Sequence, residues 1–152
     1  MASFNMVGLD TFEEIEKMLR HNAENAERIA EDMIKAGARV LIAAQKSELA
    51  RMAKSDRSIG TLQNSIGMGR MKRGTKASST AIHTDVFPQG DHPHGQPGFG
   101  KRGNVSSAQV GFVLEYGHSN MPGRPWMSVA KDKAADAVID AMADVWEEKT
   151  NV

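Results

Sequence analysis

The stretch LEYGHSNMPGRPWMSVA, residues 114–130, decides how the chain is put together. It holds the single Tyr and one of the two Trp. Pro122 and Pro125 stiffen it, and the proline at 125 keeps Arg124 out of helical conformation. Gly117 is a natural stop for a helix arriving from the N-terminal side. Trp126 then enters whatever follows as a large apolar anchor. Two roles are open for the charged and aromatic residues. Arg124 can form a charge-assisted pair with Glu115 that locks the strap. Alternatively Glu115, Tyr116, Arg124 and Trp126 form an interface, where Arg, Tyr and Trp are enriched.

Working outward, residues 128–148 read as a helix. Ala130, Ala134/Ala135, Val138, Ala141/Met142 and Val145 make one apolar stripe, with Asp132, Asp136, Asp140 and Asp144 elsewhere around the axis. Trp146 is expected to anchor its end. On the other side, Ser106 and Ser107 precede an apolar run that stops at Gly117. Serine in front and glycine behind are helix punctuation, so residues 107–116 are read as a short helix.

Before that lies PQGDHPHGQPGFGKRGN, residues 88–104, with five Gly and three Pro in seventeen residues. It is expected to be an extended loop, long for a compact domain. Upstream, β-branched residues around Ile66 and from Ala81 to Phe87 predict a β-hairpin, 64–73 with 77–87, turning at the basic Lys72-Arg73-Gly74-Thr75. Thr61 is read as capping one helical turn before the first strand. Residues 11–54 have helical apolar spacing and begin with a capping box, Thr11 with Glu14. The polar run 20–25 suggests a short first helix and a long second one, either separate or fused. Gly37 weakens the middle by roughly 1 kcal/mol relative to Ala. Small residues such as Ala36 and Ala38 let another element come close. Residues 1–152 form one expected domain of α+β class: helices at both chain ends packed on a small antiparallel β-sheet, with the long Pro/Gly loop inside it.

The bulk numbers fit a globular chain, 40% hydrophobic and 25% charged. No cysteine is present, which excludes disulfides, thiol nucleophiles and thiolate metal sites. No apolar run reaches the ~18 residues of a membrane span, and the start of the chain does not read as a secretory signal. Net charge is zero but unevenly spread. Residues 1–56 carry eight basic and ten acidic side chains, residues 57–105 seven and two, residues 106–152 four and seven. A basic middle between acidic ends suits nucleic acid, or an acidic face on a second copy.

The polar clusters are the candidates for chemistry. His92 and His94 beside Asp91 are the most metal-like group, with His83 or His118 as further ligands in space; a structural zinc site usually takes four. A flexible polar loop explains them about four to one better, since short His tracts are unspecific. No Gly-x-Ser-x-Gly elbow is present. GMGRMKRG, residues 67–74, lacks the Gly-Lys-Ser/Thr ending of a phosphate loop. No catalytic residue, cofactor or metal is assigned. Arg70, Lys72, Arg73, Lys76, Lys101 and Arg102 can meet phosphates, but only Phe87 and Phe99 accompany them for stacking. A solvated basic hairpin, or one docked on an acidic neighbour, is at least as good a reading.

Two segments carry a family resemblance. GTLQNSI, residues 60–66, resembles a Thr-Gly-x-Leu-x-x-Ser-Ile element. VLEYGHSNMPGRPWMSVA, residues 113–130, resembles a Tyr-Val-Glu-aromatic-Gly-Thr segment followed by Pro-x-x-Pro-Phe and an Ala in a terminal helix. Both belong to the head–tail joining and tail-completion proteins of long-tailed bacteriophages, and the order of elements is similar over roughly residues 9–148. Here Gly117-His118 replaces Gly-Thr, Trp126 replaces Phe, and Thr61 follows rather than precedes Gly60. The resemblance implies a non-enzymatic virion protein, assembled in the host cytoplasm. Copies would form a homo-oligomeric ring in the neck or upper tail, touching other neck and tail proteins and, weakly and non-specifically, the genomic DNA in the channel. Arg70, Lys72, Arg73, Lys101, Arg102, Glu115, Tyr116, Arg124 and Trp126 are then the expected contact residues. The alternative is a nucleic-acid-binding protein using hairpin residues 70–76 with Lys101 and Arg102; a metal-dependent enzyme at His92 and His94 ranks last.

Overall fold

A computed structural model describes residues 9–52, 57–74, 82–92 and 105–150. The fold is α+β. Helix α1, Leu9–Met52, is continuous over 44 residues, about 66 Å at 1.5 Å per residue. Of the two arrangements open for residues 20–25, the fused one is found. That run contains neither Gly nor Pro, and Arg20 reaches back one turn to Glu16 at 2.6 Å, so the local chemistry supports the helix.

Helix α4, Met127–Thr150, lies along α1. Ala130 and Ala134 are buried on its inner side, while Ala135 points outward. Gly37 marks the close approach from α1. A Cβ placed there would sit 3.0 Å from Val138 Cγ1 and 3.1 Å from Met142 Sδ. The glycine that lowers helix propensity is thus the one that lets the helices meet. Lys133 adds a bridge to Glu48 of α1 at 2.9 Å, and Arg51 flanks the same carboxylate at 3.1 Å.

Helix α2, Arg57–Ser65, is longer than the single turn expected, and its C-terminus feeds directly into strand β1, Ile66–Met68. The Gln63 side-chain amide donates to the Lys46 carbonyl and ties α2 to α1. The hairpin forms, with a different internal layout. Strand β1 pairs antiparallel with β4, Val86–Pro88, in the register Ile66 opposite Pro88. Strand β2, Lys72–Arg73, pairs with β3, Ile82–His83, in the register Lys72 opposite His83. Between the two ladders three residues, 69–71, face two, 84–85. The extra residue makes a bulge, bridged by the Gly69 amide to the Asp85 carbonyl and the Thr84 hydroxyl to the Gly69 carbonyl. Lys72 and Arg73 therefore lie in a strand and not in the turn; residues 75–81, which join the arms, lie outside the described residues.

The expected loop 88–104 is in part structured. Pro88 closes β4, and β5, Asp91–His92, pairs with β6, Val105–Ser106. Residues 93–104 lie outside the described residues. Helix α3, Ser107–Tyr116, has the expected bounds. Ser106 and Gln109 form its capping box, and Gly117 ends it at φ 79. A tight ladder follows, β7, Gly117–His118, with β8, Met121–Pro122. Among the described residues the ladders are four and two-stranded, and none continues into a wider sheet.

The core sits where α1, α2, β1 and the strap meet. Leu49, Leu62, Ile66 and Trp126 are buried together, flanked by Ile42, Met52, Val86, Val110, Leu114 and Met127.

Candidate assembly interface

The strap after α3 is organised by one carboxylate. Glu115 is 5% exposed and points at the start of α4. One oxygen accepts from the Trp126 and Met127 amides at 2.6 and 2.8 Å; the other accepts from the Ser128 amide at 3.1 Å and its hydroxyl at 2.6 Å. The first amides of a helix have no partner within it, and a negative charge there also complements the helix dipole. Glu115 thus caps α4 from eleven residues upstream. Burial alone pushes its carboxyl up, but the Ser128 hydroxyl and the three amides outweigh burial and hold it below the ordinary glutamate value.

This geometry corrects one expectation. Glu115 does not pair with Arg124, because its acceptor sites are turned to the helix start. Arg124 has an exposed side chain, and its amide donates to the Leu114 carbonyl at 2.7 Å, laying the strap beside the end of α3. Trp126 is fully buried as the anchor expected of it. Its indole N–H donates to the Gly111 carbonyl at 3.2 Å, and a Cβ at Gly111 would lie 3.3 Å from the ring. Gly117 and Gly123 complete the clamp. A Cβ on Gly117 would meet the Met121 carbonyl oxygen at 2.5 Å; one on Gly123 would meet the Glu115 carbonyl oxygen at 2.7 Å. At Gly117 the positive φ with an extended ψ is accessible essentially to glycine alone.

Tyr116 faces outward at 68% exposed and packs against Phe112, 60% exposed, with ring centroids 4.7 Å apart. The two belong to one outer face of α3, at i and i+4. A second apolar surface lies on α4. Ile139 is 63% exposed and Trp146 49%, and with Met33 of α1 they line a shallow groove of about 340 Å³. Trp146 therefore does not anchor the helix end inside the protein, as the sequence suggested. Sequence reasoning missed Phe112, Ile139 and Met33. A signal was present at Phe112: VGFVLEY is apolar around the whole helix, more than one buried face requires.

The basic hairpin is partly neutralised from within. Lys72 pairs with Asp85 at 2.5 Å, and Arg73 with Glu27 and Glu31 of α1 at 2.6 and 2.7 Å. The bond from Lys72 holds the Asp85 carboxyl below its ordinary value, and Glu31 and Glu27 raise Arg73. The acidic neighbour on which the hairpin docks is thus in part the chain's own α1. Arg70 is exposed and has no ion-pair partner among the described residues. Lys76, Lys101 and Arg102 lie outside the described residues, as does His94. His92 contributes backbone to β5; His83 is exposed on β3, and His118 accepts from the Asn120 amide through Nδ1. Among the described residues no three His, Asp or Glu stand close enough to hold a metal ion, and no helix is long and apolar enough to cross a membrane. No protein-family model, curated protein or solved structure matches the chain.

Proposed function

We propose that this protein is a structural connector of a bacteriophage particle, a subunit of a ring in the neck or upper tail, assembled in the host cytoplasm, through which genomic DNA passes. The observation that carries the reading is a rigid frame with large apolar side chains left on its outside. Phe112, Tyr116, Ile139 and Trp146 are each at least half open to solvent or nearly so, while among the described residues the buried apolar side chains are only seven, three of them alanine. Side chains of that size contribute no burial energy while they stay in water, and they gain most when covered by another protein. The Glu115 cap and the Trp126 indole bond tie α3 to the start of α4, so the two elements that carry the exposed faces are joined directly. The motifs in residues 60–66 and 113–130 supply the family expectation, and both lie in this frame. Binding to nucleic acid is the less favoured use of the hairpin, because Lys72 and Arg73 are already engaged by carboxylates.

The reading is tested in cells producing the particle that encodes this chain. Removing the gene should leave filled heads and finished tails that do not join, visible by electron microscopy, with infectivity restored by the wild-type gene. Normal particles without the protein would contradict it.

A further inference from the structure

The hairpin is built in two parts. Next to the core, β1 and β4 contribute the buried Ile66 and Pro88. Beyond the bulge at residues 69–71 and 84–85, the arm made by β2 and β3 is a ladder of its own. A bulge interrupts pairing and bends the strand, so the inner ladder alone does not set the direction of the arm. Of the arm's paired residues, Lys72, Arg73 and His83 are exposed and Ile82 is half-buried. Among the described residues the ion pairs from the arm to α1 both come from Arg73. Its guanidinium spans two carboxylates one turn apart, Glu27 at 2.6 Å and Glu31 at 2.7 Å. The Lys72 pair does not hold the arm to α1, because its partner Asp85 belongs to the hairpin itself.

This clasp is open to water. Arg73 and Glu27 are each at least half exposed, and Glu31 is a quarter exposed. Ion pairs of this kind stabilise little and are screened by salt. Breaking the clasp strands no buried charge. Water can meet Glu27, and Lys35, one turn along α1, already stands 3.9 Å from Glu31.

We infer that the β2–β3 arm is a hinged latch: Arg73 holds it against α1 through Glu27 and Glu31, and the arm swings away about the bulge when that clasp is broken. Docked, the arm has its arginine neutralised by α1. Released, it leaves Arg73 free, three residues from the exposed Arg70, and uncovers two carboxylates on α1. The charge that this segment shows to its surroundings is thus switched by the position of the arm. The latch is independent of the connector reading.

The chain has no cysteine, so nitroxide labels can be attached to two introduced ones. His83→Cys marks the arm and Arg39→Cys marks α1; both sites are exposed and neither takes part in the clasp. Pulsed electron spin resonance then reads the distance between the labels in the full chain. At low salt it should give one short distance. At about 1 M salt, where the screening length is roughly 3 Å, a second and longer distance should appear. Glu27→Gln combined with Glu31→Gln should raise the longer share roughly threefold or more at low salt. Glutamine keeps the size of each side chain, and circular dichroism checks that the helix is kept. Exchanging the charges, with Arg73→Glu, Glu27→Arg and Glu31→Arg together, should bring the short distance back. One unchanged distance in all these samples would overturn the latch and show that the backbone fixes the arm. So would a wild type whose distances are as broad at low salt as at high salt, since the clasp would then hold nothing. Either result leaves the connector reading where it stood.

Discussion

Replacing Glu115 by Gln keeps its volume but turns an acceptor oxygen into an NH₂ group that cannot receive an N–H. Hydrogen bonds to a charged group contribute roughly 1.5–3 kcal/mol, and the lost partners here are buried backbone amides. Glu115→Gln should therefore destabilise the protein by about 2 kcal/mol, lowering Tm by roughly 4–8 °C. The sign with pH follows from the lowered carboxyl. A depressed folded-state value stabilises above the ordinary glutamate range and is lost as pH falls through the folded value. The gap between wild type and Glu115→Gln in urea unfolding should be full at pH 7 and close under strongly acidic conditions. A gap that is constant with pH would assign Glu115 a packing role only. At this scale the sequence was readable where a residue's own chemistry decides its place. Ser106, Gly117 and Trp126 all sit as expected. It misled where geometry chooses among partners: Arg124 is the obvious mate for Glu115 by charge, yet three amides and a hydroxyl converge on that carboxylate and leave no site for it.

At the scale of elements, the contact between α1 and α4 turns on Gly37. Its missing side chain leaves room for Val138 and Met142. Gly37→Leu places a branched side chain where a Cβ alone is already tight, and overpacking of this kind costs typically 1–3 kcal/mol. Urea unfolding should show the loss, and Gly60→Leu on α2 should show far less, because nothing stands within 4 Å of a Cβ there. An equal effect at both positions would remove close packing as the role of Gly37. Periodicity alone marks Gly37 as a weak point of a helix, because propensity is local and the approach of α4 is not. For the same reason the hairpin was legible as a hairpin but its bulge was not: register over residues 69–71 and 84–85 is set by pairing on both sides. Composition makes the run 20–25 look like a break, while the Arg20–Glu16 pair that supports the helix depends on spacing.

At the scale of the whole molecule, the charge map changes meaning once folded. The sequence shows a basic middle between acidic ends; the fold turns part of that contrast inward, with Arg73 clasped by Glu27 and Glu31 across 42 to 46 residues of chain. Exposed charges with no ion pair among the described residues remain on several elements, among them Arg28 and Arg39 of α1, Arg70, Arg124, and Asp136, Asp140 and Asp144 of α4, and the open apolar side chains of α3 and α4 remain with them. The α+β class and the order long helix, hairpin, α3, α4 were legible, but the short ladders β5–β6 and β7–β8 were not. The outward faces were not, because amphipathic patterning reveals which residues are apolar but not which of two apolar faces is covered. The central claim is that these faces exist to be covered by protein in a ring. Native mass spectrometry of the purified protein, alone and after incubation with lysate containing neck and tail-tube proteins, tests it most directly. The account predicts a single closed oligomer, formed either spontaneously or on adding those proteins. A monomer under both conditions that instead binds DNA in a salt-dependent way would contradict it.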